Sequence, residues 1–177
     1  MATTSCGMTE ERQIDTSRRR FFRRMPGAKV RTEAPHRMPW TVSEQDFTEG
    51  CTRCGKCVEA CETAIIITGD GGFPEVDFQR GECTFCGVCA DACPVPVFVS
   101  REQSPWQKVA EIGESCLSFQ STECRSCRDM CEYSAIRFRL QAGNVAQPVL
   151  DVDECSGCGA CIKPCPVNAI TMSDNNN

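Results

Sequence analysis

Histidine is almost missing from this 177-residue chain: His36 stands alone. A Rieske centre needs two histidines and is excluded, and a single histidine argues against a Ser-His or Cys-His nucleophile. Aromatic residues are also few, with two Trp, one Tyr and nine Phe. No apolar run approaches the roughly 18 to 20 residues that a membrane-spanning helix needs. With 24% charged residues and a mean hydropathy of −0.31, the sequence reads as that of a soluble protein. What it has in quantity is cysteine, 17 residues of it. In so short a chain, that share means that covalent or metal cross-links hold the fold together.

Charge is divided unevenly. Residues 1–40 carry nine Arg and Lys against four acids, a net +5, while the remainder carries ten against twenty, a net −10. An acidic body repels phosphates, so nucleic acid is not expected as a partner. The basic segment reads as a flexible, solvated arm.

Sixteen of the cysteines fall between Cys51 and Cys165 in four groups, and Cys6 stands apart as a tail thiol. The first group is Cys51, Cys54, Cys57 and Cys61; the second is Cys83, Cys86, Cys89 and Cys93; the fourth is Cys155, Cys158, Cys161 and Cys165. All three read C-x2-C-x2-C-x3-C, and Pro94 and Pro166 follow two of them. This is the bacterial ferredoxin spacing for cubane 4Fe–4S clusters. Three thiolates on a tight loop containing Gly55, Gly87 or Gly159 cap three irons of one cube. The fourth, a turn further on, points away to another. The third group, Cys116, Cys124, Cys127 and Cys131, has seven residues in its first gap and Arg125 in place of glycine. Its last two gaps keep the ferredoxin spacing, so it reads as a fourth site with a loop inserted.

Rival uses of cysteine fare worse. Disulfides need an oxidising compartment, and neighbours this close pair poorly. Zinc prefers two separated pairs per ion, whereas four ligands here crowd into eleven residues. Covalent haem needs C-x-x-C-H, and no cysteine precedes a histidine. The stretch Gly50-Cys51-Thr52-Arg53-Cys54-Gly55-Lys56 imitates a phosphate-binding loop, but Cys57 stands where a magnesium-holding Ser or Thr belongs.

The linkers assign the pairing of motifs. Residues 64–68 and 73–78 read as two strands around the Gly69-Asp70-Gly71-Gly72 turn, and residues 135–140 and 148–153 repeat the pattern around Gln141-Ala142-Gly143-Asn144. Between the second and third motifs no hairpin is expected; residues 107–112 read as a short helix or coil. The expected fold is therefore α+β: two tandem bacterial-ferredoxin-like modules at 44–103 and 104–173, a flexible basic arm at 1–43, and a disordered tail at 174–177. Short helices are expected at Cys57 to Cys61 and Cys161 to Cys165. Ligation should cross within each module. Cys51, Cys54, Cys57 and Cys93 would hold one cube, and Cys83, Cys86, Cys89 and Cys61 the next. Cys116, Cys124, Cys127 and Cys165 would hold the third, and Cys155, Cys158, Cys161 and Cys131 the fourth. Modules of this size have too little apolar material for a core of their own, so the clusters serve as one.

In the arm, Ser17-Arg18-Arg19-Arg20-Phe21-Phe22-Arg23 is similar to a twin-arginine export signal. The charged, proline-broken segment from Arg24 to Arg31 follows instead of an apolar one, so export is not expected. The arm's sharper reading is a docking peptide for a membrane surface or a partner, a membrane-associated electron donor among the partners considered.

The whole chain resembles the NapF family, ferredoxin-type proteins of periplasmic nitrate reductase systems. The likeness rests on Ile14-Asp15-Thr16-Ser17-Arg18-Arg19, on Cys51-Thr52-Arg53-Cys54, and above all on the irregular stretch from Cys116 to Cys127. It implies a cytoplasmic protein with four 4Fe–4S clusters. It further implies contact with the cytoplasmic precursor of the molybdenum-containing catalytic subunit, and a role in its maturation before export. Two other functions compete: an electron-carrier subunit of another oxidoreductase complex, and an assembly scaffold whose clusters are structural. No motif suggests a complete enzyme.

Overall fold

A computed structural model describes residues 34–140 and 145–175. The Arg-rich stretch, Cys6 and the Gln141–Asn144 turn lie outside the described residues. Residues 35–175 fall in one compact unit, built as two similar halves of short elements, mixed helix and strand.

In the first half, α1 (Glu44–Gly50) starts at Ser43, whose hydroxyl accepts the Asp46 N–H at 3.2 Å, with Glu44 and Asp46 favourably placed in the first turn. α1 delivers the fully buried Phe47 to the core. The first cysteine loop leads into α2 (Lys56–Ala60). A hairpin follows, β1 (Ile66–Thr68) antiparallel to β2 (Pro74–Val76), with Ile66 opposite Val76. Gly71 and Gly72 take positive φ in its turn, as the glycines there lead one to expect. The second loop leads into α3 (Val88–Asp91).

The second half runs β3 (Lys108–Ile112), the third loop, α4 (Ser126–Asp129), β4 (Ile136–Arg139) and β5 (Gln147–Leu150), then the fourth loop and β6 (Ile170–Asp174). β4 and β5 form the second expected hairpin. β3 pairs antiparallel with β6, Ala110 opposite Met172 and Ile112 opposite Ile170. The first half has a shorter counterpart: Thr41 bridges Phe98, Val42 N–H donates to Val97 O at 3.1 Å and Val99 N–H to Trp40 O at 2.7 Å.

Four expectations are corrected. Asp174, read as the start of a disordered tail, ends β6 opposite Lys108, whose ammonium donates to its carboxylate at 2.6 Å. Residues 108–112 are a strand, because a partner some sixty residues later satisfies their backbone. Residues 160–164 form turns rather than a helix, tied by Ile162 N–H to Gly159 O and Cys165 N–H to Ile162 O. Residues 35–42, read as the end of the arm, are packed: Met38 and Trp40 are buried. Arg37, counted among the arm's charges, donates twice to Glu44 at 2.7 and 2.8 Å and once to Pro74 O at 2.7 Å. Its guanidinium also lies over the Phe47 ring at 4.9 Å.

Much of the core is sulfur. The third cysteine of each motif, Cys57, Cys89, Cys127 or Cys161, is buried and packs in one apolar cluster with residues such as Phe47, Ile66, Ile136 and Met172. No helix among the described residues is long and apolar enough to cross a membrane.

Candidate metal centres

The first, second and fourth motifs wrap their cysteines around a loop by left-handed backbone turns. Gly55 and Gly87 precede α2 and α3 with φ of 79° and 75°, and Gly159 holds the same place in the fourth motif at 81°. Two residues earlier, Arg53, Phe85 and Gly157 are also left-handed, and Ala64, Ser134 and Asn168 repeat the conformation three residues after Cys61, Cys131 and Cys165. Non-glycine residues rarely adopt it, so their recurrence at equivalent positions marks a shared backbone design. Sequence reasoning singled out the glycines and passed over these.

Arg125 departs from the pattern: its φ is −134°, and the third motif turns without a left-handed residue there. Its inserted loop is nonetheless folded. Ser118, 1% exposed, donates its hydroxyl to Cys124 O at 2.9 Å, and Thr122 N–H donates to Leu117 O at 2.8 Å. Ser118 is a residue that sequence reasoning missed; a hydroxyl inside an insertion was its only signal.

Three cavities gather the cysteines. Cys51, Cys54, Cys57 and Cys93 line one, beside Phe47 and Val97. Cys83, Cys86, Cys89 and Cys61 line a second, with Trp40 and Phe85. Cys155, Cys158, Cys161 and Cys131 line a third, with Ala110 and Met172. In each, three thiols come from one motif and the fourth from the motif with which it is paired. Burial first, and then the nearby Cys116 and Cys124, raise the pKa of Cys127. Cys165 sits where its turn meets Ala169, whose N–H donates to Cys165 Sγ at 3.2 Å.

Burial pushes the Cys57, Cys83 and Cys127 thiols up to about 11 and those of Cys89 and Cys161 up to about 12, assisted by neighbouring cysteines. Burial also raises Cys158. Cys54 lies below its ordinary value because the Lys56 N–H and the Thr52 hydroxyl favour its thiolate. At Cys61 burial pushes upward, but the Thr63 hydroxyl and the N–H groups of Ile65, Ile66 and Thr63 outweigh it and the net shift is down.

These pockets fit an iron–sulfur cluster. Their donor set is thiol throughout, the ligand type of 4Fe–4S centres. Ser156 Oγ, on the wall of the Cys155 cavity, is buried and favours the Cys158 thiolate by a side-chain hydrogen bond, the place of a hydroxyl that supports a ligand sulfur. Among the described residues, no three His, Cys, Asp or Glu side chains converge as a single ion requires. Thiols spread around a cavity suit a multi-iron cube better than one zinc with bonds of about 2.3 Å.

The sequence agrees. A model of the 4Fe–4S dicluster domain matches residues 50–97 and 122–174, which take in the first, second and fourth motifs whole and the third from Cys124 onward, without Cys116. The ferredoxin-type protein NapF of Haemophilus influenzae is 57% identical over 138 residues, 78% of each chain. The Escherichia coli K12 protein of that name is 44% identical over 90% of this chain and 95% of its own length. The methylamine utilization ferredoxin-type protein MauM of Methylorubrum extorquens is 30% identical over 73% of this chain and 67% of its own. With its cysteine-lined cavities and these identities, the chain belongs to the NapF family of ferredoxin-type iron–sulfur proteins.

Proposed function

We propose that this chain is an electron-transfer protein of two tandem ferredoxin-like modules, holding four 4Fe–4S clusters, that serves cytoplasmic maturation of a periplasmic nitrate reductase catalytic subunit before export. The observation that carries the electron-transfer reading is the gathering of thiols from paired motifs around shared cavities. Cys51, Cys54, Cys57 and Cys93 would hold the first cluster, Cys83, Cys86, Cys89 and Cys61 the second, Cys155, Cys158, Cys161 and Cys131 the fourth. Cys116, Cys124 and Cys127, completed by Cys165, would hold the third. When bound, such clusters accept and release single electrons over a wide range of potentials. The protein's part is to hold the thiolates, exclude water and tune the sites. Hydrogen bonds to sulfur stabilise negative charge; the Arg53 N–H to Cys51 Sγ at 3.4 Å and the Thr63 hydroxyl beside Cys61 Sγ at 3.5 Å are examples.

The maturation role rests on the kinship with NapF proteins. Deleting the gene tests it. The exported nitrate reductase should lose activity and cofactor content, and a Cys54→Ala Cys86→Ala variant should fail to restore them. Both positions are exposed, so the packing cost is small. Full activity and cofactor content in the deletion strain, with no binding to the precursor, would instead favour a carrier for another oxidoreductase. The likeness to a methylamine utilization protein gives that second reading its support.

A further inference from the structure

Contacts between the two modules include a group around the approach to the second motif, residues 78–85 of the first module. From the second module this segment meets the fourth motif and Trp106, just ahead of β3. The Cys83 N–H donates to the Cys158 carbonyl at 2.8 Å. Phe78 covers Gly159, leaving no room for a Cβ there. Phe78 and Phe85 meet Trp106 edge-on at 5.9 and 5.6 Å, and Trp106 Nε1 donates to Ser156 O at 3.2 Å. Lys163 Nζ donates to Arg80 O at 3.0 Å.

Cys83 and Cys158 belong to different cavities, those of the second and fourth sites. A short path joins their sulfurs, through the side chain and N–H of Cys83, one hydrogen bond, and the carbonyl and side chain of Cys158. Within the modules the neighbours share motifs: Cys93 of the second motif lines the first cavity and Cys61 of the first lines the second, while Cys131 of the third motif lines the fourth-site cavity. The cavity of the first site, by contrast, is walled by first-module residues such as Phe47, Pro74 and Phe98.

We infer that the four sites are ordered first, second, fourth, third through the molecule, and that the Cys83–Cys158 contact is the bridge across which the modules exchange electrons. The inference deepens the electron-transfer reading and rests on it. Spatial order thus departs from sequence order, and the two ends available to a donor and an acceptor are the first site and the irregular third. Each crossing moves one electron. One site is oxidised and its neighbour reduced, with no bond made or broken. A one-electron reductant such as dithionite supplies the electron, and a one-electron acceptor such as an oxidised viologen removes it.

The test uses the full-length, cluster-loaded protein, fully reduced with dithionite and observed by electron paramagnetic resonance. Loss of a second-site ligand in Cys86→Ala should abolish the spin–spin interaction felt by the fourth-site signal across the module boundary. Loss of a first-site ligand in Cys54→Ala should leave that interaction in place. A second variant keeps every cysteine. Glu82, in the first module, lines one surface cleft with Ala160, a residue between the fourth-motif cysteines Cys158 and Cys161. Glu82→Gln should therefore raise the fourth-site midpoint potential and leave the third-site potential unmoved. A fourth-site signal indifferent to Cys86→Ala, or a fourth-site midpoint indifferent to Glu82→Gln, overturns the ordering while the electron-transfer reading stands. Absence of any reducible signal in the loaded protein overturns both.

Discussion

Phe78 lies so close over Gly159 that a methyl group there would fall within the van der Waals envelope of the ring. One residue belongs to the approach to the second cysteine motif and the other to the fourth, so a single glycine sets how closely the two cysteine loops approach. Gly159 also holds a φ of 81°, a conformation costly to other residues. Gly159→Ala should destabilise the loaded protein by about 1–3 kcal/mol through overpacking, with further strain from the backbone. Denaturant unfolding of the wild type and the variant, both fully loaded, checks this. Gly55→Ala is the control: it shares the positive φ but meets nothing within 4 Å, so it should lose less.

Arg37 anchors the segment that enters the fold. Removing its fork to Glu44, its bond to the Pro74 carbonyl and its stacking on Phe47 should cost about 2 kcal/mol, since one charged hydrogen bond to a partly buried acceptor is worth roughly 1.5–3 kcal/mol. Arg37→Ala should lower the unfolding midpoint without changing the iron content. A variant that unfolds like the wild type would return residues 35–42 to the arm.

How much of this was legible depended on range. The cysteine loops and both hairpins are local, so spacing, glycine and strand-forming residues announced them. The Lys108–Ile112 strand was not legible because its partner, Ile170–Asp174, lies at the far end of the chain, and Val109 and Ile112 suit a helix as well as a strand. Met38 and Trp40 were hidden by the positive charge around them. The spacing leads one to expect Cys61, Cys93 and Cys131 to serve the paired motif, and each lines that motif's cavity. The contact between Cys83 and Cys158 was not legible, since module–module docking leaves no periodic trace.

The inserted loop of the third motif should depend on Ser118. Its buried hydroxyl holds Cys124, and Ser118→Ala should cost about 1 kcal/mol. It should also make the third site lose iron first, while the other three keep theirs. Ser43→Ala, which removes the α1 cap at a similar cost of about 1 kcal/mol, should leave the iron content intact. Timed iron and acid-labile sulfide analysis separates the two.

Loading should depend on pH in a definite direction. In the metal-free fold Cys57, Cys83 and Cys127 sit near 11 and Cys89 and Cys161 near 12, against an ordinary value of 9.0. Such thiols are protonated at neutral pH, so taking up iron displaces their protons. At fixed free iron and sulfide, occupancy should rise with pH. The metal-free fold behaves oppositely. Its raised pKa values favour it fully below about pH 9, and that advantage is lost as pH climbs through 11 to 12. Occupancy independent of pH between 6 and 8 would contradict the assignment of these thiols as ligands.

The most direct measurement is a crystal structure of the anaerobically loaded protein with its irons located by anomalous scattering. The account predicts about sixteen irons in four cubes. Cys93 should complete the Cys51, Cys54, Cys57 cube and Cys61 the Cys83, Cys86, Cys89 cube. Cys131 should complete the Cys155, Cys158, Cys161 cube and Cys165 the Cys116, Cys124, Cys127 cube. A cube held by Cys51, Cys54, Cys57 and Cys61 together, or a third motif without iron, would contradict it.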